Sequence, residues 1–142
     1  MFRYVAAATL LAASALAAWQ TPTNLGTTVN TSAGEYWPSI AENGTYILFV
    51  SDRAGGQGGT DIWRTAYSGG SWQAPVNMGT NVNTSSNDSL PDLCFGESRL
   101  YFVSNCPGGQ GNYDIWWSAI TNGVAGPKTN LGPTVNTSGM EC

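Results

Sequence analysis

Histidine is absent from the 142-residue sequence, which removes the commonest general base and the commonest zinc ligand. Charge is scarce, with Asp, Glu, Lys and Arg together making up 10% of the chain. Setting aside Arg3, which falls in a leader, leaves four basic residues against nine acidic ones, a net of −5. That balance offers no basic footprint for nucleic acid or for an anionic membrane surface, so neither is expected as a partner. Three cysteines occur, Cys94, Cys106 and Cys142, without any Cys-x-x-Cys spacing, so that class of metal or redox motif is missing. Nothing beyond the N-terminus repeats apolar residues at a helical period.

The one long apolar run is at the start, "MFRYVAAATLLAASALAAWQ". Arg3 gives a short positive region, residues 4–16 are apolar but too short to span a bilayer, and Ala15-Leu16-Ala17 is a small-x-small cleavage site. Residues 1–17 therefore read as a secretory signal peptide cut before Ala18, with an uncleaved anchor as the alternative. No cysteine follows the cut, so a lipoprotein signal is not indicated. The expectation is an exported chain, periplasmic or extracellular, with no stable membrane insertion once the leader is removed. What remains is rich in Gly, Asn, Thr and Trp, a composition suited to a turn-rich all-β domain.

That domain, residues 18–142, repeats itself. "WQTPTNLGTTVNTSAGE" begins at Trp19, "WQAPVNMGTNVNTSSND" at Trp72, and "PKTNLGPTVNTSGME" covers the matching part of a third copy. Asn24, Asn77 and Asn130 are spaced 53 apart, as are Asn30, Asn83 and Asn136, and Glu35, Asp88 and Glu141. The two full units, 19–71 and 72–124, agree at 23 of 53 positions, and 125–142 is a partial third. Each unit predicts four short strands. In the first these are "YWPSIAE", "TYILFVSD", "TDIWRTAY" and "SWQAPVNMG", separated by Asn43-Gly44, a Gly-rich loop and Gly69-Gly70. The second strand is apolar on both faces and so is expected to be covered on both. Pro75 places the fourth at a sheet edge. A four-stranded unit of this length, with periodic aromatics and glycines, is the signature of a propeller blade, which buries its two faces only against neighbours.

A turn after Pro38-Ser39-Ile40, then "YILFVSDRAGGQGGTDIW", then W-x-x-P-x-N-L-G-x-x-V-N-T with an acidic residue four or five positions on, together resemble the WD40-like repeat of the TolB-like β-propellers. The resemblance implies blades of a six- or seven-bladed propeller in a bacterial periplasm or envelope, serving protein or ligand binding rather than catalysis. The family's Asp-Gly first turn is replaced by Asn43-Gly44 and Gly96-Glu97, and its Asp-Arg by Asn105-Cys106 in the second copy. The fold expected is thus an incomplete all-β propeller of two four-stranded antiparallel blades plus a flanking strand. Two blades leave two apolar faces open to self-association. The sequence starts in a fourth strand at Trp19 and stops at Cys142, where a third blade is due. A fragment, a ring in which Trp19's strand completes a neighbour's blade, and a non-functional truncated product are the readings that follow.

Several residues could carry function. "SDRAGGQGGTDIW" and "SNCPGGQGNYDIW" lack the Gly-Lys-Ser/Thr end of a phosphate loop and precede a strand, not a helix. Asp61 and Asp114 either bond the NH groups of a wide Gly turn or, as the lesser reading, help to hold calcium; no other cofactor is indicated. Glu35, Asp88 and Glu141 recur at the start of each first strand, and either bind a cation or a cationic partner or, as the readier reading, cap a turn or pair across blades. Trp37 stands in an inner strand, where an aromatic could stack on a sugar or peptide as well as pack. Asp52 and Arg53 vary between copies and are free to meet a partner. Cys106 and Cys142 are the better disulfide pair, because Cys94 is too far along its hairpin from Cys106. A glycosidase or sialidase relative is the rival function. It would need two carboxylates converging at a set separation, with arginines for a substrate carboxylate. The partner expected is a protein or a cell-envelope glycan.

Overall fold

The structure, a computed structural model, describes residues 21–142, so the leader and Trp19 lie outside the described residues. Among the described residues there is no helix, and so none long and apolar enough to cross a membrane. Ten strands form two antiparallel sheets. The first blade holds β1 (Glu35–Ile40), β2 (Tyr46–Ser51), β3 (Asp61–Ser68), β4 (Ser71–Trp72) and β5 (Val76–Asn77). The second holds β6 (Asp88–Cys94), β7 (Arg99–Ser104), β8 (Asp114–Thr121), β9 (Val124–Ala125) and β10 (Thr129–Asn130). Each is a meander in which β4 and β5, or β9 and β10, share the outer flank of the third strand. The chain is thus an all-β, incomplete β-propeller of two blades.

The register repeats with the sequence. Phe49 faces Trp63 and Val50 faces Ile62 in the first blade; Phe102 faces Trp116 and Val103 faces Ile115 in the second. The fourth strand is not continuous as the sequence suggested. Pro75 and Pro127, which have no NH to give the ladder, split it into two short pieces.

The first strand also breaks pattern. Between the pairs Tyr36–Val50 and Ser39–Leu48, β1 carries one residue more than β2, and β6 does the same between Ser89–Val103 and Asp92–Tyr101. Pro38 and Pro91 remove a ladder donor there, and the residues before them, Trp37 and Leu90, adopt positive φ of 46° and 51°. Such a conformation in a bulky residue costs about 1–3 kcal/mol, which the surrounding sheet must hold in place.

The main core lies between the blades. Leu48, Val50 and Ile62 from the first pack with Leu100, Phe102 and Trp116 from the second, with Val82 of the connecting loop in the same cluster. The other face of β2 is also covered, where Phe49 and Trp63 pack under Val29. Val29, Val82 and Val135 are repeat equivalents with unequal fates. Val29 and Val82 are buried, whereas Val135 is 44% exposed on the open side of the second blade.

Candidate binding surface

Glu35, the Gly-rich loop and Asp61 all fall at one end of the first blade, because antiparallel pairing sets Glu35 opposite Ser51 and Ser51 opposite Asp61. Asp88, Ser104 and Asp114 do the same in the second. The geometry at that end assigns each conspicuous residue a place.

The Gly-rich loops join consecutive blades. Gly59 donates its NH to Ser86 O (2.9 Å), Thr60 receives Asp88 N (2.8 Å) on its carbonyl, and Thr60 N donates to Asn87 Oδ1 (3.2 Å). The second loop repeats this on the next segment, where Asn112 N meets Gly139 O (3.0 Å) and Glu141 N meets Tyr113 O (3.0 Å). A Cβ on Gly58 would collide with the carbonyls of Thr84 and Ser86, and one on Gly111 with those of Thr137 and Gly139. The glycines therefore permit close backbone approach. Asp61 Oδ2 accepts Gln57 N (2.9 Å) and Gly58 N (3.3 Å), and Asp114 accepts Gln110 N (2.8 Å) and Gly111 N (3.3 Å). Both aspartates are buried, a blade apart, and no group of three or more Cys, Asp or Glu converges as a metal site among the described residues.

The repeated acids close turns. Glu35 accepts the Thr31 NH (3.0 Å) and hydroxyl (2.8 Å), Asp88 the Thr84 NH (2.6 Å) and hydroxyl (3.0 Å), and Glu141 the Thr137 hydroxyl (2.6 Å). Their electrostatics differ. Burial pushes the Glu35 carboxyl up, but the Thr31 bonds and Arg53 together pull it lower still, to a net value below the ordinary one. Asp88 is fully buried, and burial outweighs its bonds to Ser104 and Thr84 and the distant Lys128, raising it.

Arg53 and Asp52 are engaged within the chain. Arg53 pairs with Glu35 Oε1 (2.9 Å), donates to Val29 O (2.6 Å) and Ser51 Oγ (3.1 Å), and lies over the Phe49 and Trp63 rings. Asp52 Oδ1 accepts Gly34 N (2.9 Å), as Asn105 accepts Asn87 N (2.8 Å). The Cys106–Cys142 bridge is not formed. Cys106 points into the core between the blades while Cys142 is exposed, and all three cysteines are free thiols.

Trp37 is different. It is 50% exposed, its backbone is held by the β1 bulge, and its ring tilts against Tyr36 with centroids 5.7 Å apart. It walls two adjoining clefts that share Trp37, Ser89 and Tyr113. One, about 410 Å³, continues along Leu90, Val103 and Met140; the other, about 350 Å³, takes in Tyr36, Thr60 and Asn87. Tyr113, Asn87 and Ser89 were not singled out from sequence. Their only signal was negative, since they sit where the two copies disagree.

Sequence reasoning also missed what the repeated Asn does. Asn83 Oδ1 accepts Ile62 N (2.8 Å) while its Nδ2 donates to Ile62 O (2.8 Å) and Asn77 Oδ1 (2.9 Å). Asn136 holds Ile115 and Asn130 in the same way. The side-chain amide thus stands in for a strand's peptide group at the edge of β3 or β8. The Asn30 side-chain amide bonds only Asn24 (3.0 Å) among the described residues.

No family model matches the sequence, and no curated protein matches it. Among solved structures, TolB from Acinetobacter baumannii is similar to 65% of this chain at 18% identity and a TM-score of 0.45. The match takes in 20% of that protein's length.

Proposed function

We infer that this protein is an exported, non-enzymatic binding module built from propeller blades. The carrying observation is the cleft at the blade seam, where the half-exposed Trp37 of one blade and the partly buried Tyr113 of the other meet beside hydroxyl and amide groups. The acids support binding over glycoside chemistry. Glu35, Asp88 and Glu141 stand one per repeat, each tied to its own threonine, rather than as a facing pair. Export rests on the leader-like residues 1–17, and an envelope setting on the repeat resemblance.

Further blades, or a partner offering blade-like apolar surface, would join at the open faces. Leu25 and Tyr36 lie exposed beside Phe49 on one side, Val135 and Met140 on the other. A neighbour's leading strand has no free place on the second blade, because β9 and β10 already flank β8. Assembly therefore proceeds face to face rather than by strand donation.

A panel of fluorogenic glycosides tests the catalytic rival, with no turnover above buffer expected. Turnover abolished by Asp88→Asn would overturn the reading. Light-scattering mass of the chain lacking residues 1–17 tests face-to-face assembly. Mass should rise with concentration and fall back in Met140→Lys, and a monomer at every concentration would oppose assembly.

A further inference from the structure

The cleft between the blades is assembled from residues that the repeat does not dictate. Tyr36 is replaced by Ser89 in the next copy, Trp37 by Leu90, Thr60 by Tyr113 and Asn87 by Met140, although the two full units agree at 23 of 53 positions. At these points the seam engages Thr60 O and N, Asn87 N and Asp88 N, together with the side-chain carbonyls of Asn87 and Asn105. Their side chains bond one another across the seam, Thr60 Oγ1 with Ser89 Oγ and Asn87 Nδ2 with the Tyr113 hydroxyl, and keep further hydrogen-bonding capacity for something else.

What they offer has a definite chemistry. Trp37 and Tyr36 expose about half of their surfaces (50% and 48%) from a bulged strand whose positive φ at Trp37 fixes the direction of the ring. Around them stand the Tyr113 hydroxyl, which receives Asn87 Nδ2 at 3.3 Å, and the Thr60 and Ser89 hydroxyls, 3.4 Å apart. Asn87 Nδ2 keeps one hydrogen, and the three hydroxyls keep unused donor or acceptor capacity. Among the described residues, no Asp, Glu, Lys or Arg lines the cleft. It is shallow rather than enclosed, and Trp37, Thr60, Ser89 and Tyr113 bring residues of both repeats to it.

Building on the binding-module reading, we propose that this cleft is a subsite for a neutral pyranose of a glycan. A pyranose ring presents a patch of C–H bonds on one face, which the negative face of an aromatic ring attracts, and a rim of hydroxyls. Trp37 meets the face, and Tyr113, Asn87, Thr60 and Ser89 meet the rim. The uncharged lining disfavours phosphorylated or carboxylated sugars, which would be desolvated without a counter-charge.

The test uses the full chain in saturation-transfer NMR with cellobiose, N,N′-diacetylchitobiose and glucose 6-phosphate, and with acetyl-Leu-Val-Leu-amide as the apolar alternative. Either neutral disaccharide should receive saturation, glucose 6-phosphate should not, and Trp37→Gly should weaken disaccharide binding about tenfold or more. Glycine is at home at positive φ, so this variant keeps its thermal midpoint while losing the ring. Tyr113→Phe should weaken the sugar by several-fold and leave any peptide signal alone. No transfer to either disaccharide, or transfer undiminished in Trp37→Gly, overturns the proposal. If only the peptide binds, and Trp37→Gly abolishes that, the sugar assignment falls while the binding module stands. If nothing binds, both fall.

Discussion

Glu35 and Asp88 occupy one place in successive blades but respond oppositely to pH, because Asp88 is fully buried while Glu35 is less so and is held by Thr31 and Arg53. The residue eighteen positions on also differs. In the first blade it is Arg53, which reaches Glu35; in the second it is Cys106, which turns into the core. Glu35, lowered from its ordinary 4.5, contributes stability above that pH and loses it as pH falls through the lowered value. Asp88, raised from 3.8, contributes below 3.8 and loses that contribution as pH rises through the raised value. Urea midpoints across acid and neutral pH should therefore show Glu35→Gln cutting the low-pH loss. Asp88→Asn should gain on the parent chain as pH rises. Identical profiles for the two variants would contradict the account. Arg53→Ala removes the ion pair together with bonds to Val29 and Ser51, and should destabilise by about 2 kcal/mol at neutral pH. At this scale the sequence located the acids and their repetition. It could not say that Arg53 is bound inward, because that depends on Val29, 24 residues earlier in the chain, being folded beneath it.

Among elements, the Gly-rich loop and the Asn-bearing loop hold the blades together by different means. The loop needs Gly58 because carbonyls of the next segment occupy the place of a Cβ. Gly58→Ala should cost about 2 kcal/mol, seen as a lowered urea midpoint, whereas Gly59→Ala meets mainly the movable Asn87 side chain and should cost less. Gly59 is Asn112 in the second copy, where Met140 replaces Asn87. Asn83→Ala would leave the NH and carbonyl of Ile62 without the amide that satisfies them, a loss of about 2–3 kcal/mol. Asn30→Ala, whose amide bonds only the exposed Asn24 among the described residues, should change stability by less than about 0.5 kcal/mol. Equal effects at the two asparagines would refute the edge-holding role. The strands themselves were legible, since alternation, aromatics and Gly-rich turns bounded them to within a residue or two. The bulge at Trp37 and the split at Pro75 were not, because a proline's effect depends on which neighbour its missing NH should have met.

As a whole, the molecule places its main core between the blades, with only the smaller Val29, Phe49 and Trp63 cluster belonging to the first alone. Leu48→Ala in the first and Phe102→Ala in the second should each cost about 3 kcal/mol and shift one shared transition. Tryptophan fluorescence and far-ultraviolet circular dichroism would follow it. Two separated transitions would show that the blades fold alone. Sequence by itself determined the all-β class, the 53-residue period and the two-blade count, because these rest on local signals that a repeat doubles. It also pointed to Gly58 with Gly111, and to Asp61 with Asp114, as turn-building residues, since both copies retain them, with calcium ligation as the lesser reading of the aspartates. Only tertiary structure decided which apolar faces meet, why Val82 is buried while Val135 is not, and that Trp37 and Tyr113, from different repeats, share one cleft. Those outcomes depend on how one blade is set against the next, and no periodicity within a blade encodes that placement.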